Sequence, residues 1–314
     1  MTVSRVLNGS ANVRPATRDQ VLAAIAELNF RPSHIARALA SGGIRTIGIL
    51  DTTGGLLYGP ANTIWAIELA ARRVGYSAVV AGVDPSDRDS VREAVEHLLD
   101  QDASGLIVIG PDQGARDLVR ELVPGVSVVT MHGTSDEPVL IAQADAARVA
   151  TRHLIELGHT RIAHIAGPGD WFEATSRRQG FLDELAAAGQ TPVAVEESQD
   201  WSPTAGYEAA QRLLTRAEFT AVFCANDPVA LGFIHAAMDA GLDVPREISV
   251  VGFDDTPESA HYHPPLTTLR QDFAEGGRRA VASILVALGA DVAVPESPLV
   301  PQLIVRASTA APAA

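Results

Sequence analysis

The chain contains no lysine. All 24 of its basic residues are arginine, which suits phosphate contacts and equally suits the codon supply of a GC-rich genome, so the bias carries no functional weight. Cys224 is the only cysteine; it excludes an intramolecular disulfide and, inside an apolar run, reads as a small buried hydrophobe rather than a nucleophile. No apolar stretch reaches the roughly 20 residues of a membrane helix, and none follows a basic start as a secretory signal would. Glycine-rich dinucleotide fingerprints, phosphate loops, short-period repeats and nucleophile elbows are also missing. These absences point to a cytoplasmic protein that is not an enzyme, needs no cofactor and has no membrane partner.

With 46% hydrophobic residues over 314 positions, the chain is long and apolar enough for two medium domains and one small one. Its net charge of −14 is unevenly spread: residues 1 to 46 hold six Arg against Asp19 and Glu27, giving +4 and leaving −18 for the remainder. A polyanion would dock at the basic end.

That end reads as a small helical unit on a tether. Val3, Val6 and Leu7 share one face of a short helix that Asn8 and Gly9 stop. Thr17 is placed as the N-cap of a second helix, in which Val21, Leu22, Ile25 and Leu28 recur at helical spacing before the Arg31–Pro32 turn. Ser33 caps a third helix carrying Ile35, Ala36, Leu39 and Ala40, closed by Gly42 and Gly43.

The run TVSRVLNG, the helix ending in AELNFRPS, and IARALASG leading into RTIGIL together resemble the lac repressor family of bacterial transcription regulators. The resemblance implies that TVSRVLNG is the recognition helix of a helix-turn-helix, and that the IARALA helix forms against minor-groove DNA. It assigns DNA contacts to Thr2, Ser4, Arg5, Asn8, Asn12, Val13 and Thr17 in the head and to Ser33, Ala36 and Leu39 in the hinge. The first helix of the family's head has no counterpart in this numbering, through a misassigned start or a truncation, so specific operator binding is expected to need upstream residues.

From Thr46 short apolar runs alternate with helical patterns, the signature of parallel strands joined by crossover helices. TIGILD, SAVVAG, GLIVIG and VSVVTM read as strands of one lobe, with helices over 61–75, 88–101 and 113–122. A helix over 145–157 leads to RIAHIAG, a weaker TPVAVEE, AVFCAND and ISVVGFDD, with helices over 174–188, 204–215 and 227–240. LTTLRQDF, a helix over 273–288 and the strand LVPQLIVRAS follow, and the Ala- and Pro-rich tail after Arg306 reads as disordered. The expected fold class is α/β: a two-lobe, periplasmic-binding-protein-like body of doubly wound parallel sheets after a truncated all-helical DNA-binding head. The expected domains are 1–43, head and hinge, and 44–314, effector binding and dimerisation. Within the latter the N-lobe takes about 44–143 plus part of 272–298, and the C-lobe about 144–271 plus the C-terminal strand.

Ligands of open parallel sheets bind beyond the carboxyl ends of the strands. Asn226 and Asp227 follow AVFCA, Asp254 and Asp255 follow ISVVGF, and the loop after TIGILD holds Thr52, Tyr58 and Pro60. Asn, Asp and Arg fix hydroxyls in direction, and Trp offers a flat apolar face to a sugar ring. The resemblance assigns sugar contacts to Arg177, Trp201, Asn226, Asp254 and Gln271, and less specifically to Thr52, Tyr58, Pro60 and His132.

Each residue also has a plainer reading. Asp227 fits an N-cap followed by Pro228 at the first helical position, Asp255 a turn, and Trp201 a packing aromatic. Arg177 and Arg178 are adjacent, so at most one faces the cleft. His261 and His263 lack a third ligand at metal spacing, so no metal is expected.

The reading with the widest support is a sugar-responsive DNA-binding regulator, a repressor of carbohydrate-utilisation genes. Its expected partners are operator DNA, a small sugar effector and a second copy in a homodimer, since no leucine-heptad helix follows LVPQLIVRAS. The alternative is a sugar-binding protein of transport or chemosensory type, without DNA-binding activity.

Overall fold

The computed structural model describes residues 6, 13–28, 45–55, 57–84, 87–110, 113–131 and 141–313. Chain contacts divide it into Met1–Ile44 and Arg45–Ala314. In the first unit, α1 spans Pro15–Glu27. It starts two residues before the expected Thr17 cap: proline's fixed φ suits the opening turn of a helix, where its missing N–H costs nothing. Thr17 lies inside that turn and donates its N–H to the Arg14 carbonyl at 3.0 Å.

In the second unit the apolar runs become two sheets of parallel strands. β1 (Thr46–Asp51), β2 (Ser77–Gly82), β3 (Ala103–Ile109) and β4 (Ser127–Thr130) lie in the order β2-β1-β3-β4, with Ile49 beside Val80 on one side and Ile107 on the other. The crossover helices are α2 (Tyr58–Arg73), α3 (Arg88–Asp100) and α4 (Gln113–Leu122). Both faces of this sheet are covered. Ile47, Ile49, Ile107 and Ile109 pack on one, and Leu50, Leu98, Leu106 and Val108 on the other, each such burial worth about 1.5–3 kcal/mol.

The second sheet repeats the plan. α5 (Gln143–Glu156) precedes β5 (Ile162–Ala166), followed by α6 (Phe172–Ala187), β6 (Val195–Glu197), α7 (Pro203–Arg216), β7 (Ala221–Cys224), α8 (Asp227–Asp239) and β8 (Ser249–Val251), with strand order β6-β5-β7-β8. α7 and α8 approach so closely that a Cβ on Gly206 would lie 2.5 Å from the Val229 carbonyl oxygen, which only glycine permits. His164 on β5 stands between the rings of Phe181 and Phe223, each 4.9 Å away, and its Nδ1 meets the Phe223 carbonyl at 2.7 Å.

A two-stranded antiparallel ribbon of β9 (Thr268–Arg270) and β10 (Gln302–Ile304) joins the lobes, with α9 (Phe273–Ala287) between its strands. α9 packs through Ala280, Val281 and Ile284 into the first sheet's core, so the chain returns to the first lobe for one helix and then leaves it. The tail beyond Arg306 is ordered, contrary to its composition. Ser308 is fully buried and donates to the Val250 carbonyl at 2.6 Å, and the Ala310 carbonyl accepts from Ser249 at 3.0 Å and lies 2.9 Å from His159 Nε2. The Ser308 and Thr309 hydroxyls and the small alanines let this segment lie along the second lobe, making bonds that low hydropathy alone does not predict.

Candidate functional site

In both sheets the strand order reverses beside the first strand of the lobe, so the ligand crevice of this topology lies beyond the ends of β1 and β3 in one lobe and β5 and β7 in the other. At the second lobe's edge four side chains from four segments close a ring. Arg177 Nε donates to Gln143 Oε1 at 2.8 Å, Gln143 Nε2 to Gln271 Oε1 at 3.5 Å, and Gln271 Nε2 to Asp254 Oδ1 at 2.6 Å; Asp254 Oδ1 stands 3.8 Å from Arg177 NH2. Arg177 also donates to the Ala225 carbonyl at 2.5 Å and lies 3.7 Å over the Phe253 ring and 5.6 Å from the Trp201 ring.

The turn after β8 aims the carboxylates. Asp254 has φ 108° and Asp255 φ 53°, consecutive positive values that side-chain-bearing residues adopt only where the surroundings enforce them. Asp254 thereby meets Gln271, while Asp255 accepts from Arg270 Nε and Arg306 NH2, each at 2.5 Å. Burial pushes the Asp254 carboxyl up to about 6 against the pull of Arg177 and Gln271, with Glu173 raising it further. Burial also lowers Arg177, so both partners of this pair pay more in lost solvation than their 3.8 Å contact returns.

Trp201 packs against Ala174 and Ala225, meets Trp171 edge-on at 5.4 Å, and fills the space a Cβ on Gly167 would take. Its Nε1 is buried and has no hydrogen-bond partner among the described residues. Leu57, from the first lobe, packs on the same cluster. Tyr58 follows at the start of α2, edge-on to Phe273 at 5.8 Å, and its phenol is raised by burial and then by Asp254, Asp255, Glu258 and Asp227. The crevice therefore combines an aromatic wall, one buried guanidinium, buried carboxylates and an orphan donor, a set that can hold a polar molecule with an apolar face.

Residues 1–33 match the family model for bacterial regulatory proteins of the lacI family, and residues 151–309 match that for a periplasmic binding protein-like domain. The chain is 37% identical to the lactose operon repressor of Escherichia coli strain K12 over 317 aligned residues, 99% of this chain and 87% of that one. The chain belongs to the lac repressor family. It is a DNA-binding transcription regulator of the repressor type and not an enzyme. Among solved structures, the lac repressor dimer bound to operator and the anti-inducer ONPF superposes with a TM-score of 0.85 at 36% identity, covering 99% of this chain and 95% of that one. A complex of the transcriptional regulator CelR with cellobiose superposes with a TM-score of 0.75 at 28% identity, covering 97% and 94%.

In this lac-repressor-family protein the structure brings Arg177, Trp201, Asn226, Asp254 and Gln271 together. Asn226 rather than Asp227 is the N-cap of α8: its Oδ1 accepts from Val229 N at 2.8 Å, and its Nδ2 donates to the Trp201 carbonyl at 3.1 Å. Asp227 sits one position further on, with Pro228 second in the helix. Its carboxylate accepts from Thr256 N at 2.8 Å and Thr268 Oγ1 at 2.5 Å, tying the helix to the segments after β8, and burial lifts it to about 7. Asp255 is a turn residue, as its sequence setting suggests, and also an ion-pair centre.

Tyr58 and Pro60 lie in the first turn of α2 rather than in a loop. Thr52 is buried, with its hydroxyl on the Ile109 carbonyl at 3.3 Å. Arg177 is buried and its neighbour Arg178 exposed. His132 lies outside the described residues, as do Thr2, Ser4, Arg5, Asn8, Asn12, Ser33, Ala36 and Leu39; Val13 and Thr17 lie within them. Sequence reasoning missed Gln143, Glu173, Leu57 and Phe253. Gln143 and Glu173 open helices, where polar residues look like exposed first-turn groups, and nothing in the periodicity marks them as buried.

Proposed function

We propose that this protein is a sugar-responsive transcriptional repressor of carbohydrate-utilisation genes, acting as a homodimer on operator DNA, with its effector held in the crevice between the two lobes. The observation that carries the reading is the ring Arg177–Gln143–Gln271–Asp254 beside Trp201, whose indole N–H is buried without an acceptor among the described residues. A buried orphan donor and an ion pair held at 3.8 Å are groups that a hydroxyl-bearing ligand would satisfy. Trp201 and Trp171 supply the apolar wall against which the C–H face of a sugar packs. Dimer and operator come from the likeness to the lac repressor dimer on its operator, and the sugar class gains support from the CelR–cellobiose likeness.

The coupling runs through the lobes. Leu57 and Tyr58 of the first lobe meet the Trp201 cluster and the field of Asp254 in the second. A ligand bound there changes how the lobes sit, and β1, the first element of the body, begins at Thr46, directly after the segment leading from the head. The test is a thermal-shift screen of mono- and disaccharides, followed by operator binding in a gel shift with each sugar that raises the melting temperature. A sugar that stabilises the protein and changes its operator affinity supports the reading. Stabilisation without any effect on DNA binding favours a sugar-binding protein that does not act on DNA.

A further inference from the structure

Glu173 stands in the first turn of α6, where an acidic residue usually lies in solvent and complements the helix dipole. Here it is 6% exposed and lies four residues before the buried Arg177, on the same face of the helix, and its charge raises Asp254 and Arg177 alike. A helix-dipole role does not need that burial. The residue before it, Phe172, follows Trp171, which packs edge-on against Trp201, so this turn carries the aromatic wall and the carboxylate together.

The charge balance of the crevice is one-sided. Arg177 is the buried cation among the described cleft residues, and Glu173, Asp227 and Asp254 are buried acids acting on it. The charges acting on Tyr58, from across the crevice, are all negative as well. The other buried arginine among the described residues, Arg279 on α9, is taken up by Glu275 at 2.9 Å and by the Ser297 carbonyl. An independent mark of a ligand is the indole N–H of Trp201, in a side chain 8% exposed, left without an acceptor among the described residues. The crevice thus offers donors for neutral oxygens but no surplus positive charge for an anion.

We propose that Glu173 is a specificity-determining residue: buried one helical turn before Arg177 on α6, it adds a second carboxylate to that of Asp254 around one buried guanidinium, so the cleft accepts an uncharged polyol and rejects its phosphorylated and carboxylated derivatives. This rests on the reading of the cleft as the effector site. Like charge brought into a desolvated site is opposed strongly, because little solvent remains to screen it. Replacing the carboxylate by an amide of the same shape keeps the hydrogen-bonding volume and removes that opposition.

The experiment is calorimetric titration with matched sets: glucose, glucose 6-phosphate and glucuronate; the galactose counterparts; and cellobiose with cellobionate. In the wild type an anionic member is expected to bind about a hundredfold or more weaker than its neutral parent. Glu173→Gln should narrow that ratio by about tenfold or more while shifting the neutral sugar much less, and Glu173→Asp, which keeps the charge, should restore it. The wild-type ratios stand whether or not the variants fold. An anion binding the wild type as tightly as its neutral parent, or an unchanged ratio in a folded Glu173→Gln, overturns the proposal. If no sugar binds but an acyclic polyol such as mannitol does and mannitol 1-phosphate does not, the sugar reading falls and the charge rule stands. Silence of every set overturns both.

Discussion

Arg177 lies 3.8 Å from Asp254, yet burial pushes each toward its uncharged form. The pair is held by its neighbours, Gln143, Gln271 and the Ala225 carbonyl, more than by its own attraction. Such a pair is poised for a third party: a ligand hydroxyl that accepts from the guanidinium and donates to the carboxylate improves both interactions.

Asp254→Asn should therefore weaken effector binding by about 1.5–3 kcal/mol, the worth of a charge-assisted hydrogen bond, while operator binding persists. It should also alter pH dependence in the unliganded protein. Because the folded pKa of Asp254 is raised to about 6, its contribution to stability is full below the unfolded value and is lost as pH rises through about 6. Relative to wild type, Asp254→Asn gains stability on going from pH 4 to pH 8, by up to about 3 kcal/mol. Urea melts at the two pH values check this; a constant difference would mean that Asp254 does not titrate in that window.

His164 runs the opposite way. Burial depresses its pKa to about 4, so the stability tied to its neutral form is present above about 6.5 and is lost as pH falls through about 4. His164→Leu should remove about 3 kcal/mol of acid sensitivity and, by eliminating a buried Nε2 without a partner among the described residues, need not lower stability at neutral pH. Denaturant melts of both proteins between pH 4 and 7 separate this slope from that of Asp254.

Binding of an effector should change tryptophan emission through Trp201, and Trp201→Phe should abolish most of the change. Trp171, 5.4 Å from it, reports on the same event, whereas Trp65, 63% exposed on α2, is a bystander. Gly167→Ala places a methyl within the Trp201 ring position; overpacking of this kind costs about 1–3 kcal/mol, and the emission response should fall with it. An unaltered response in folded Gly167→Ala would show that the indole can move without consequence.

The ordered tail supplies a stability test. Ser308 donates to the Val250 carbonyl and accepts from Thr267 N at 2.8 Å, fully buried. Ser308→Ala leaves both groups without their partner and should cost about 1–3 kcal/mol in thermal or urea unfolding. Ser297→Ala, where the main-chain carbonyl accepts from Arg279, serves as the comparison and should change little.

The two-lobe plan was legible in the sequence. Alternating apolar runs and helical patterns specify parallel strands and crossovers, because burial on both sheet faces demands continuous apolar strands such as LIVI and AVFC. The residues that follow those strands, Asn226 and Asp254 among them, were legible for the same reason: they lie at strand ends, where this topology opens. Which polar groups are buried, and what they do there, is set by the packing of segments distant in sequence. Gln143 and Glu173 sit in first helical turns like any exposed polar residue, and α5 packing against α6 is what encloses them. Asn226 takes the cap expected of Asp227, because Asp227 is drawn to Thr256 and Thr268, 29 and 41 residues away in the chain. The Ala- and Pro-rich tail is ordered by Ser249, Val250, His159 and Thr267, whose nearness to it depends on the closed fold. Local pattern carries periodicity, but long-range hydrogen bonds between segments distant in sequence leave no periodic trace.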